Sequence, residues 1–224
     1  LDGIAVRRLL LHRGLEPAAA LAGGLFCQLL PFLTHERGVL QLQPLFALVW
    51  ALDEVWRLAE GASWRRGRAL GAALAATFLT SEYYGLFLAV FLAPAVAFNL
   101  GRLRRRSAVR GLVLGAGIAA AVVTPLVWSQ GRHLSRMGFE RSERTVAKYS
   151  ASLGDYARVT PFTVGGGLVG ASPEAGAKFL SPGWILVLLA LLGLGAGGRR
   201  ASARPWMLSL AATAVLALLL SLGP

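Results

Sequence analysis

Apolar and polar positions divide the chain into seven apolar stretches, at roughly 17–32, 39–57, 69–81, 84–100, 111–128, 183–197 and 206–222, separated by polar, Gly-rich or Arg-rich breaks. A helix that crosses a bilayer needs about 20 residues, with about 17 at the low end, and three of these stretches are shorter. Alanine, leucine and glycine dominate them, a composition common in packed membrane bundles. The pattern predicts an all-α, polytopic membrane bundle of about seven spans. About five spans fall in 1–128, an extracytoplasmic loop with short surface helices in 129–182, and two further spans in 183–224.

The arginines orient the prediction. Arg7, Arg8 and Arg13 precede the first stretch, Arg57, Arg65, Arg66 and Arg68 surround the break after the second, Arg102 to Arg110 precede the fifth, and Arg199, Arg200 and Arg204 separate the last two. Short loops rich in Lys and Arg stay in the cytoplasm, and placing all four clusters inside gives a consistent alternation. Residues 69–100 read as a hairpin turning at Thr80-Ser81-Glu82. A single long helix would put two basic clusters on opposite sides and bury Glu82 in hydrocarbon, at a cost of about 3 kcal/mol or more. Trp56, Trp64 and Trp206 then fall near inner boundaries and Trp128 and Trp184 near outer ones, the depth indole rings favour, while Trp50 is expected to pack inside.

Composition agrees. Hydrophobic residues make up 55% of 224 and charged residues 15%, which excludes disorder and argues against an ordinary soluble enzyme. The formal net charge of +12 would suggest nucleic acid, but its position at the ends of apolar runs assigns it to the membrane instead. Cys27, alone in its type, allows no intrachain disulfide or cysteine metal site and reads as a small buried hydrophobe. No signal-peptide pattern opens the chain. It begins at Leu1 and stops at Pro224 directly after an apolar run, so it reads as part of a longer protein that supplies the remainder.

Soluble-enzyme motifs are absent, and the Gly111-to-Gly115 spacing signals close helix packing. Asp53 and Arg57 form a helical i, i+4 pair read as structural. The remaining candidates lie toward the outer face. His35-Glu36 occupies a short outside loop, where a carboxylate beside an imidazole suits a divalent ion or an acceptor proton; a solvated turn is the plainer reading. Glu82 with Tyr83 and Tyr84 offers a carboxylate with aromatic platforms, or a helix cap with interfacial tyrosines. Arg132, Arg136, Arg141 and Arg144 suit a phosphate clamp, attachment to anionic headgroups, or pairing with Glu140 and Glu143. Ser152 and Asp155 have capping-box spacing, with Pro161 ending the short helix they open.

The run Pro31-Phe32, His35 and Leu40-Gln41-Leu42-Gln43-Pro44-Leu45, the hairpin Thr80 to Leu88, and the loop residues Arg141 to Val146, Tyr149 to Ala151, Asp155-Tyr156, Pro161 and Phe179 to Gly183 resemble bacterial multipass proteins of the GT-C glycosyltransferase superfamily. The resemblance implies a protein of the bacterial cytoplasmic membrane that transfers sugar from a polyprenyl-phosphate donor to an acceptor on the outer face. In that superfamily an acidic residue of the first outside loop is central to catalysis, and that loop would precede Leu1. Glu36 matches the acidic residue of a second outside loop. The expected site therefore has Glu36 as catalytic residue with His35 assisting, Glu82, Tyr84, Arg141 and Arg144 as substrate-binding residues, and a divalent metal ion as an open role. A transporter or flippase of lipid-linked glycan, or a non-catalytic envelope scaffold, is the alternative.

Overall fold

A computed structural model describes residues 1–30, 33, 39, 43–137, 150–158, 178–197 and 203–222. Every regular element among them is helical: α1 (Asp2–His12), α2 (Pro17–Gln28), α3 (Phe46–Glu60), α4 (Trp64–Thr80), α5 (Glu82–Phe98), α6 (Leu100–Leu103), α7 (Arg106–Met137), α8 (Leu153–Ala157), α9 (Trp184–Gly197) and α10 (Arg204–Ser221). A helix lies on each of the seven apolar stretches, so the all-α expectation holds.

The expectation of about seven spans is corrected. Among the described residues two helices are long and apolar enough to cross a membrane by length and composition, Arg106–Arg136 and Arg204–Ser221; Glu82–Phe98 and Trp184–Ala196 are apolar but shorter. The physical reasons differ. At 1.5 Å per residue, 12-residue α2 reaches only about 18 Å. Helix α3 has 15 residues and carries Asp53, Glu54, Arg57 and Glu60. Residues 129–137, expected to begin the outer segment with its surface helices, continue α7 without a break beyond Trp128.

The chain divides into two compact units, Leu1–Gly24 with Pro44–Arg141, and Leu25–Gln43 with Ser142–Pro224. In the first, α4 is central and packs against α3, α5 and α7. Ser63 caps α4 by accepting from the Arg66 amide at 3.3 Å, and Ser81 both ends α4 and opens α5, where it accepts from the Tyr84 amide at 3.4 Å. One extended residue thus makes the predicted hairpin turn.

Helices α4 and α7 meet glycine to glycine. A Cβ on Gly67 would lie 2.7 Å from the Gly111 carbonyl oxygen, and one on Gly71 would lie 2.8 Å from that of Gly115. The pairing of 67 with 111 and 71 with 115 means that the two helices run in the same direction. Their arginine-rich starts therefore share one end of the unit, as the hairpin reading requires. The predicted Gly111–Gly115 packing is present, and its partner is a second small-xxx-small pair.

Helix α1 ends in a Schellman turn at Gly14, φ 79°, with the Leu15 amide donating to the Leu10 carbonyl and the Gly14 amide to that of Leu11. It lies along α3, and its Asp2 carboxylate caps that helix by accepting from the Leu45 and Phe46 amides at 3.0 and 2.9 Å. Trp56 is buried within this unit, not placed at an interface as the pattern suggested, and Cys27 is half-buried.

In the second unit α9 packs on α10. Trp206 is 8% exposed, so it too is interior. The predicted capping box is formed: the Ser152 amide donates to Asp155 Oδ2 at 2.8 Å. The Asp155 carbonyl accepts from the Leu180 amide at 3.0 Å, and Ser221 at the end of α10 receives the Ala151 amide through its carbonyl at 2.8 Å and meets the Tyr156 hydroxyl at 2.7 Å. The Ser152 backbone donor above all, then its hydroxyl and the nearby Lys178 and Arg158, hold the Asp155 carboxyl below its ordinary pKa against the opposing effect of burial. A lowered folded pKa contributes stability that is complete above the unfolded value of about 3.9 and is lost as pH falls through the folded value. Amide-exchange protection of residues 178–180 is accordingly expected to decline below about pH 4 in the wild-type chain. In Asp155→Asn it should be weaker throughout and flatter over that range.

Candidate functional site

The hairpin end of the first unit gathers the site residues that the structure describes. Glu82 opens α5, where its charge suits the helix N-terminus, and its exposed carboxylate accepts from the Gln130 side-chain amide of α7. Two residues on, Tyr84 is half-buried and within electrostatic reach of the Asp2 carboxylate. The structure therefore brings Glu82 and Tyr84 to one end and adds Asp2 and Gln130 to them. His35, Glu36, Arg141 and Arg144 lie outside the described residues, as do 138–149 and 159–177 of the expected outer loop.

From this end an apolar groove of about 540 Å³ runs between α4, α5 and α7. Its walls are Leu74 and Phe78 of α4, Leu88 of α5, and Val123, Val127 and Trp128 of α7. Its floor is Ala116, Ala119 and Ala120, spaced so that three small side chains face the same way and leave the space open. Thr124 supplies the lining's one hydroxyl. From Ala116 to Trp128 the groove extends about 18 Å along α7. Trp128 is 62% exposed at the hairpin end, and the Arg132 guanidinium sits 5.0 Å from its ring centroid. That stack, the Glu82–Gln130 bond and the absence of a helix-breaking pair after Pro125 account for α7 continuing where a loop was expected.

A second polar cluster lies where α1 meets α3. Asp53 and Glu54 are each 1% exposed. Glu54 Oε1 accepts from Arg57 Nη1 at 2.9 Å, Arg8 Nη2 at 3.1 Å and Trp50 Nε1 at 3.2 Å. Asp53 Oδ2 meets His12 Nδ1 at 2.8 Å and lies 3.7 Å from Arg8 Nε. The expected Asp53–Arg57 pair is corrected: Arg57 pairs one turn back with Glu54, and Asp53 faces α1. Asp53 Oδ1 and Glu54 Oε2 are buried with no hydrogen-bond partner among the described residues. No group of three or more His, Cys, Asp or Glu side chains suited to a metal ion occurs among them.

Sequence reasoning missed the groove and the α1–α3 cluster. The spacing Trp128 to Arg132, one helical turn, was the available signal for the stacked pair at the groove mouth. Compared with known proteins, the chain matches no family model, no curated protein and no solved structure.

Proposed function

We propose that this chain belongs to an integral membrane protein that binds a polyprenyl-phosphate-linked sugar and acts as a glycosyltransferase of the outer face of the bacterial cytoplasmic membrane. The observation that carries the reading is the apolar groove of about 540 Å³ that ends at the Trp128–Arg132 stack. An elongated apolar chain fits such a lining, and the cation at its mouth suits the phosphate that heads the chain. The membrane setting draws support from α7 and α10, whose apolar windows are only 11% buried. Ile185, Leu188, Leu191 and Leu192 of α9 are likewise more than half exposed. Contiguous exposed apolar surface of this kind marks contact with lipid or a partner, and the shorter apolar helices α5 and α9 would lie in the bilayer beside the two long ones. In this reading Glu82 and Tyr84 contact the sugar end, Arg141 and Arg144 add to the phosphate clamp, and Glu36 with His35 activates the acceptor or holds a cation.

A transporter of the same lipid is the second reading, favoured by the buried acidic pair Asp53–Glu54. Binding of a short-chain polyprenyl phosphate to the purified protein tests the shared part. Ala119→Trp, which fills the floor, is expected to weaken binding at least about tenfold, equivalent to about 1.4 kcal/mol. Arg132→Gln should weaken the phosphate but not the corresponding polyprenol. Wild-type affinity in both variants would end the proposal. Release of polyprenyl phosphate from a sugar-charged donor by the longer protein separates transfer from transport, which moves the lipid without cleaving it.

A further inference from the structure

The end of the first unit opposite the groove mouth carries a second feature. Because α4 and α7 start side by side, Arg65 and Arg68 of α4 come together with Arg106 and Arg110 of α7, and Arg102, Arg104 and Arg105 precede α7 in the same corner. All seven are exposed. None forms an ion pair with an acidic side chain among the described residues. The sequence explains why: residues 61–81 and 83–139 contain no Asp or Glu. The acids that bracket these arginines in the chain are engaged elsewhere: Glu54 by Arg8 and Arg57, Glu60 by Arg13 through bonds of 2.6 and 3.0 Å, and Glu82, at the far end of the hairpin, by Gln130. Arg66 is also committed, donating to the Gly61 and Arg57 carbonyls at the end of α3.

We infer that this corner is a docking surface for the headgroups of anionic phospholipids. Like charges at this density repel one another, so the surface calls for a polyanionic, laterally extended partner. What selects lipid over nucleic acid or an acidic protein is the apolar surface interleaved with the arginines. Phe98, Leu100, Val109 and Val113 are 44%, 43%, 42% and 66% exposed, each within four residues of Arg102 or Arg110 in the chain. Trp64 is 59% exposed, with Arg68 at 4.1 Å and Arg65 at 6.0 Å from its ring. An indole and aliphatic side chains at the level of a guanidinium cluster match the boundary between acyl chains and phosphates. There the ring lies in the headgroup layer and each arginine reaches an oxyanion. The inference rests on the membrane reading but not on the groove.

The test uses the purified chain in neutral detergent, titrated with phosphatidylglycerol or with phosphatidylcholine of the same acyl chains, and read by the rise in thermal midpoint. The anionic lipid is expected to bind about tenfold more tightly, with the preference shrinking as salt is raised. Changing Arg65, Arg68, Arg105 and Arg110 to Gln should abolish the preference, and changing the same four to Lys should retain most of it. Helical circular dichroism checks that both variants fold. Equal affinity for the two lipids, an unchanged preference in the Gln variant, or tighter binding of duplex DNA than of either lipid would overturn the inference. A chain that prefers phosphatidylglycerol but ignores polyprenyl phosphate keeps this inference and loses the groove reading; one that binds no lipid loses both.

Discussion

Gly67→Ala is expected to destabilise the first unit by about 1–3 kcal/mol, and Gly67→Leu by about 3 kcal/mol or more. The added Cβ would meet backbone on every side that matters: the Gly111 carbonyl oxygen at 2.7 Å, its Cα at 2.9 Å and its carbonyl carbon at 3.2 Å. No rotamer change relieves a clash with backbone, so the two helices must separate. Separation also exposes Leu70 and reopens the contact between Leu58 and Gly111, where a Cβ would sit 2.7 Å from Leu58 Cδ1. Gly117→Ala in α7 is the matched control. Its Cβ meets nothing within 4 Å, so only helix propensity changes, a gain of up to about 1 kcal/mol. Thermal midpoints in detergent should therefore fall by several degrees for Gly67→Ala and hold or rise for Gly117→Ala. Equal midpoints for Gly67→Ala and the wild type would mean that the glycine-to-glycine contact is not what joins α4 to α7.

This contact also shows how far the sequence could be read. The spacing of Gly111 and Gly115 announces a close approach, but spacing within one helix cannot name the partner. Gly67 and Gly71 became that partner only because the hairpin at Ser81 returns the chain and α7 then runs beside α4. The hairpin itself was legible, since a lone acid between two apolar runs and arginines at both far ends admit one economical arrangement. Helix positions were legible for the same reason, whereas spans were not: the chain looks apolar from 39 to 52, yet helix α3 begins at Phe46 and its second half is charged. At the hairpin end Glu82 and Tyr84 were foreseen together because they are neighbours in the chain. The groove beside them was not, because small side chains at Ala116, Ala119 and Ala120 leave space instead of marking it. The pairing of Arg8 and His12 with α3 was hidden by distance in sequence, 46 residues for Arg8 to Glu54.

That pairing sets the second large effect. Glu54→Ala is expected to cost about 3 kcal/mol, the lower end of the range for breaking a buried ion pair. One oxygen, Oε1, serves Arg57, Arg8 and Trp50 at once, so a single truncation strips three donors. Arg8 and Arg57 have 47% and 26% of their side chains exposed and recover part of their hydration, which keeps the cost from the upper end. The Arg13–Glu60 pair gives the contrast. It has two bonds, one of only 2.6 Å, but 43% of the Glu60 side chain is exposed. Glu60→Ala should still cost less than Glu54→Ala, about 1–2 kcal/mol: the carboxylate removed is already partly hydrated, while the Arg13 guanidinium left behind is only 7% exposed but keeps its stack on Trp56 at 5.5 Å. A double-mutant cycle on Arg8 and Glu54 is expected to yield a coupling of about 1–3 kcal/mol. Replacing both by leucine should recover only part of the loss, since Arg57 and Trp50 lose the same oxygen and buried Asp53 loses Arg8. A coupling near zero, or a Glu60 variant as costly as the Glu54 one, would show that burial does not govern how α1 is held on α3.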